Sequence, residues 1–181
     1  MIFTETRLEG AFIIEQDKKH DERGFFARTF CQHEFAEHGL KTSIAQCNTS
    51  YNEHVHTLRG MHLQIPPHGE TKLVRVTSGA LYDVIIDLRR DSPTFKQWLA
   101  VELTSDNGRM LYIPEGFAHG FQTLAARTEV FYTMFDFYHA ESQRGVRWND
   151  PAFGIQWLEQ LPQIISERDA HYPLFTEAGL D

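Results

Sequence analysis

KLVRVTSGALYDVIIDL, residues 72 to 88, reads as two apolar runs, Lys72 to Val76 and Leu81 to Leu88, joined at Gly79. Valine, isoleucine and leucine dominate it, and β-branched side chains fit a pleated, half-buried surface better than a helix. The same unit recurs on both sides: AFIIEQ, GFFARTF and TLRGMHLQ before it, and WLAVELT, MLYIPEGF, GFQTL and EVFYTMFDFY after it. Turn chemistry separates the runs at Asp91-Ser92-Pro93, Asp106-Asn107-Gly108 and Pro114-Glu115-Gly116. Many short strands, not alternating with helices, close most naturally as an antiparallel sandwich or barrel. The expected fold is all-β, a double-stranded β-helix (jelly roll, cupin barrel) with short peripheral helices. One helix is expected over Gln32 to Glu37, ended by Gly39, and another near the C-terminus.

No repeat, low-complexity tract or Gly/Pro/Ser-rich linker divides the chain, so one domain over 1–181 is expected. The opening MIFTETRLEGAFIIEQ has no basic leader, and its apolar stretch from Ala11 to Ile14 is too short for a membrane span. A cytoplasmic protein without a membrane partner is the expectation. The formal net charge of −8 argues against binding a nucleic-acid polymer, which needs a clustered basic face. Arg23, Arg28, Arg59, Lys72 and Arg75 could still gather into one positive pocket for a single nucleotide, or remain a solvated scatter. Cys31 and Cys47 have neither disulfide nor zinc spacing and read as small packing residues.

His62 lies mid-strand in LRGMHLQ. Taken alone it fits either a hydrogen-bonded structural histidine or a base. Strict alternation puts Gly60, His62 and Gln64 on one face and Arg59, Met61 and Leu63 on the other, so Arg59 and His62 share a pocket only if Gly60 marks a bulge. Tyr132 shares its face with Val130, Met134 and Asp136, and Lys72 shares its own with Val74 and Val76. An inward lysine usually has an electrostatic task. A cupin metal set could be sought in His62, His68, Glu70 and His119, but the first two histidines are six apart and Pro66-Pro67 lies between them. No metal and no cofactor are expected. Nucleotide-binding glycine loops and the hydrolase elbow are missing too.

Taken in order, RGFF (23–26), QCNTS (46–50), LRGMHLQ (58–64), KLVRV (72–76), DVIIDLR (83–89), DSPTF (91–95), IPEGFAHGF (113–121), RWNDP (147–151) and SERD (166–169) resemble the dTDP-4-dehydrorhamnose 3,5-epimerase family. The resemblance implies a metal-free, homodimeric isomerase that inverts C3 and/or C5 of a nucleotide-linked 4-keto-6-deoxyhexose. It implies His62 as base, oriented by Asp169, Tyr132 as acid and Lys72 beside the enolate oxygen. His119 would line the sugar pocket. Arg23, Gln46, Asn48 and Arg59 would hold the nucleoside diphosphate, and Tyr138 would stack on the base.

Arg28 stands where the family commonly has glutamate. If it points at the base, a CDP-linked substrate is implied, because a guanidinium donates only and cytosine offers acceptors. A keto-sugar-nucleotide isomerase on the same fold, a metal-dependent cupin oxygenase and a sugar-binding cupin without catalysis are the competing readings.

Overall fold

The computed structural model describes residues 1–158, 164–176 and 180. In chain order the strands are β1 (Ile2–Glu5), β2 (Phe12–Glu15), β3 (Lys19–Asp21), β4 (Gly24–Phe26), β5 (Gln46–Asn52), β6 (Thr57–Gln64), β7 (Lys72–Ser78), β8 (Ala80–Asp87), β9 (Trp98–Thr104), β10 (Met110–Ile113), β11 (Phe117–Thr123), β12 (Thr128–Met134), β13 (Gln143–Gly145) and β14 (Ile164–Ile165). Two short α-helices accompany them, α1 (Gln32–Glu37) and α2 (Glu167–Ala170), with a 3-10 turn at Ala140–Ser142. One sheet has the order β1-β2-β10-β7-β12-β5, and the other β13-β6-β11-β8-β9 with β14 beside β6. All pairings are antiparallel except that of β14 with β6. This is the expected jelly roll.

Alternation explains where each sheet buries its side chains, although three layers blur the pattern. On β8, Leu81 and Ile85 enter the core between the sheets with Val74, Val76, Phe117, Phe121 and Val130. Val84 and Ile86, of opposite parity, pack outward against Trp148, Phe153 and Trp157 of the C-terminal segment. The outer face of the first sheet is covered by α1, where Phe35 packs with Leu73, Tyr112 and Phe135. Both faces of the central strands are therefore apolar, and burial along β8 is nearly continuous.

The pairing of β6 with β11 contains the bulge on which the shared pocket depends. His62 opposes His119 while Arg59 opposes Phe121, so two residues on β6, Gly60 and Met61, face the single Gly120 on β11. Gly60 has φ +116°, and a Cβ there would lie 2.5 Å from Gly120 Cα. The extra residue turns Arg59 and His62 to the same side and leaves Met61 fully buried outside.

α1 forms over the expected residues, with Gly39 at φ +70° just beyond it. Of the cysteines expected to pack inside, Cys31 is half-buried and Cys47 is exposed. Cys47 is the outward residue between Gln46 and Asn48 on β5, the last strand of its sheet.

Candidate active site

A cavity of about 470 Å³ opens between the sheets at one end of the core. The first sheet contributes Gln46, Asn48 and Ser50 from β5, Lys72 from β7, and Tyr132 and Met134 from β12. Arg59 and His62 from β6 and His119 from β11 reach it from the second. Inward positions that are aliphatic in the core become polar here, on the same strands.

His62 Nε2 lies 2.7 Å from Asp169 Oδ1. Asp169 Oδ2 accepts the Gly60 N–H at 3.1 Å, and Asp169 N–H donates to the capping hydroxyl of Ser166 at 3.1 Å. Burial alone would raise the Asp169 pKa, but the hydrogen bond and charge of His62 and the Gly60 amide outweigh it and hold the group below its ordinary value. An ionised carboxylate can only accept, so Nε2 carries the proton and Nδ1 keeps a free lone pair. The contact with Asp169 thus fixes the His62 tautomer.

Tyr132 reaches in from the opposite sheet, its hydroxyl 3.2 Å from Ser50 Oγ. Burial drives its pKa far above the usual phenol value, despite the opposing effect of the Ser50 hydrogen bond. Tyr132 is thus a protonated donor throughout the neutral range. Lys72 Nζ donates to Glu70 Oε1 at 2.6 Å, with both side chains no more than 10% exposed. His119 Nε2 sits 2.7 Å from Asp83 Oδ1, and Asp83 Oδ2 has no partner among the described residues.

Arg59 donates to Asn52 Oδ1 at 2.7 Å, which aims its guanidinium along the cavity wall. Gln46 Oε1 accepts the Tyr138 N–H at 2.8 Å, so the exposed Tyr138 ring stands at the rim. Nine of the eleven expected site residues gather at this cavity. Asp169 stands behind His62, and the other eight line the wall. Arg23 and Arg28 do not join them within the chain. Arg23, at the β3–β4 turn, grips Asp21, while Arg28 donates to Glu34 at 2.7 Å. The positive cluster imagined from the sequence is reduced to Arg59 and Lys72, because Arg75 has outward parity and lies over the Phe131 ring.

Three residues beyond those expected complete the site: Asp83, Glu70 and Ser50. Asp83 had a readable signal, since it shares the inward parity of Leu81 and Ile85 within an aliphatic strand. A carboxylate there demands a partner. Glu70 and Ser50 carried no such signal.

An imidazole in one sheet facing a phenol in the other, with a lysine beside them in a jelly-roll cavity, suits proton transfer at carbon, and the relatives place the chain among cupin-like isomerases of the racemase and epimerase class. The model of the family described as dTDP-4-dehydrorhamnose 3,5-epimerase matches residues 5–177. A dTDP-4-dehydrorhamnose 3,5-epimerase of Salmonella typhimurium is 42% identical, over 99% of this chain and 98% of its own length. The crystal structure of the Bacillus anthracis enzyme of that name, with TDP and PPi bound, superimposes with TM-score 0.93 at 42% identity, covering 96% of this chain and 99% of the other. That of the Legionella pneumophila dTDP-6-deoxy-D-glucose-3,5-epimerase, in complex with dTDP-4-keto-L-rhamnose, gives TM-score 0.89 at 37% identity, covering 96% and 92%. The chain belongs to the dTDP-4-dehydrorhamnose 3,5-epimerase family.

Proposed function

We propose that this enzyme inverts C3 and C5 of a dTDP-linked 4-keto-6-deoxyhexose, with His62 as base and Tyr132 as acid. The observation that carries the reading is their placement on facing sheets, β6 and β12. Inversion needs a proton removed from one face of a carbon and another delivered to the opposite face.

His62 Nδ1 takes the carbon-bound proton, and Asp169 stabilises the imidazolium that results. The electron pair moves onto the ketone oxygen, where the Lys72 ammonium, steadied by Glu70, compensates the developing charge. His119, held by Asp83, lines the sugar pocket beside them. Tyr132 gives its proton to the other face, and the phenolate recovers one from water at the Ser50 side while His62 releases its own to solvent. Arg59, Gln46 and Asn48 receive the diphosphate and nucleoside, and Tyr138 offers a stacking face at the rim.

Relatives with thymidine nucleotides bound support the dTDP assignment. Arg28 supports no cytosine preference, because its guanidinium is occupied by Glu34.

A homodimer working as one domain per chain belongs to the same reading. β1 ends its sheet with its outer edge unpaired among the described residues, and Phe25 and Phe26 are 53% and 78% exposed on the adjoining hairpin. No helix among the described residues is long and apolar enough to cross a membrane. The exposed free thiol of Cys47 favours a reducing compartment, the cytoplasm.

The deciding experiment incubates the protein with dTDP-4-keto-6-deoxyglucose in deuterium oxide. Deuterium at both C3 and C5, with inverted product, is expected. Exchange at one carbon alone would reassign it as a single-centre epimerase, a moved carbonyl would favour the keto-sugar isomerase, and no exchange would overturn the reading. Light scattering at micromolar concentration checks the dimer.

A further inference from the structure

His68 and His139 meet outside the catalytic cavity, from the β6–β7 connection and the segment after β12. Their rings stack with centroids 3.6 Å apart and planes 11° from parallel. Glu141 Oε1 lies 3.1 Å from His139 Nδ1 and 3.9 Å from His68 Nε2, and one ligand atom from each of the three residues falls within 4.8 Å of the others. The geometry points to a divalent transition-metal site, of the zinc class, formed by His68, His139 and Glu141.

Two imidazoles and a carboxylate are the donor set that zinc prefers when thiolates are absent, and three protein ligands leave a fourth position for water. Metal–ligand bonds of about 2.0–2.2 Å in a tetrahedron separate ligand atoms by about 3.3–3.6 Å. Binding requires the two stacked rings to tilt apart so that their in-plane lone pairs converge, and the His68–Glu141 separation of 3.9 Å to close. The backbone of the set is already anchored. Buried Gln64 accepts the His139 N–H at 2.5 Å and donates to the Phe137 carbonyl at 3.1 Å, while His68 N–H donates to Ile65 O at 3.2 Å. The histidines border a second cavity of about 460 Å³ that also presents Glu115 and Asp136, which share the cation Lys41 at 3.9 and 2.9 Å and so leave a net negative charge on that wall.

The site is separate from the catalytic residues but touches both rim segments. Glu70 follows His68 by two residues, Tyr138 precedes His139 by one, and both line the catalytic cavity. A metal would fasten these segments to each other, stabilising the chain and restraining the rim.

Titrating the full-length protein with zinc chloride in a calorimeter tests this. One zinc per chain in the micromolar range is expected, with affinity falling by at least about tenfold in both His68→Ala and His139→Ala. Cobalt substitution should give the visible absorption of a tetrahedral site, and zinc should raise the melting temperature of the wild type but not of His68→Ala. His68→Ala should keep basal epimerase activity. A His54→Ala control, outside the His68/His139/Glu141 cluster, should bind as the wild type does. Undiminished binding in both site variants, or no stoichiometric uptake by the wild type, would overturn the proposal.

Discussion

His62 and His119 stand directly opposite each other on β6 and β11, and each is backed by its own carboxylate at 2.7 Å, Asp169 and Asp83. The two pairs differ in exposure. The His62 side chain is 27% exposed, whereas His119 is 6% exposed above a fully buried Asp83. His62→Ala should abolish deuterium incorporation at both sugar carbons, with a rate loss of about 10² to 10⁴. Asp169→Asn should fold normally and lose rate through the wrong tautomer. NMR-monitored exchange in deuterium oxide measures both, and wild-type exchange in His62→Ala would remove it as base.

Tyr132→Phe should separate exchange from inversion. His62 can still withdraw and return a proton on one face, but delivery to the other lacks its donor. Deuterium uptake with little inverted product is expected. Since burial raises the Tyr132 pKa, the wild-type rate should show no loss from its ionisation through about pH 10, where an ordinary tyrosine titrates. A descending limb below that, missing in a variant lacking the Ser50 hydroxyl, would contradict the upward shift.

Glu70→Gln should lower kcat more than it raises KM. It removes the carboxylate 2.6 Å from Lys72 Nζ, leaving the ammonium without its anchor at the enolate oxygen. Lys72→Met should cost more than Glu70→Gln, because it deletes the charge itself. Steady-state kinetics on the two variants settle the order.

Asp87 should contribute to acid stability. Its fully buried carboxylate accepts hydrogen bonds from Arg89 Nε and Nη2, Ser92 and Thr94 at 2.5 to 2.9 Å. Burial pushes its pKa up, but these donors together prevail and hold it below the ordinary value. Its stabilisation is therefore present above the unfolded pKa of about 3.9 and is lost as pH falls through the lower folded value. Asp87→Ala should cost about 1–3 kcal/mol at neutral pH, through the half-buried hydroxyls of Ser92 and Thr94 left without their acceptor. Denaturation midpoints measured against pH should show that gap narrowing only below about pH 4.

Gly120→Ala should damage site and fold together. The added Cβ would lie 2.5 Å from Met61 Sδ and 2.7 Å from the Arg59 carbonyl, so the bulge would have to shift. Overpacking of this kind costs about 1–3 kcal/mol, and displacement of Arg59 and His62 should lower activity in the remaining folded enzyme. Thermal melts and kcat/KM measure the two effects.

Side-chain parity made the strands, α1 and the inward placement of Lys72 and Tyr132 legible, because each depends on local periodicity. The β6 bulge was legible only as a condition, since nothing in LRGMHLQ states that Gly120 will approach Gly60 across the ladder. Partners such as Asp83 for His119 belong to neighbouring strands 36 residues apart, and single-strand alternation carries no information about them. Arg23 was expected at the site from the family resemblance and Arg28 from its departure from it, whereas within the chain Asp21 and Glu34 claim them.

Cys47 gives the protein a natural attachment point for an optical reporter. Its thiol faces solvent between two cavity-lining neighbours, Gln46 and Asn48, and Cys31 is the chain's sole other thiol. A Cys31→Ser variant carrying a maleimide dye on Cys47 would place the fluorophore one residue from the cavity wall formed by Gln46 and Asn48. Ligand occupancy could then be followed by fluorescence in real time, independently of turnover.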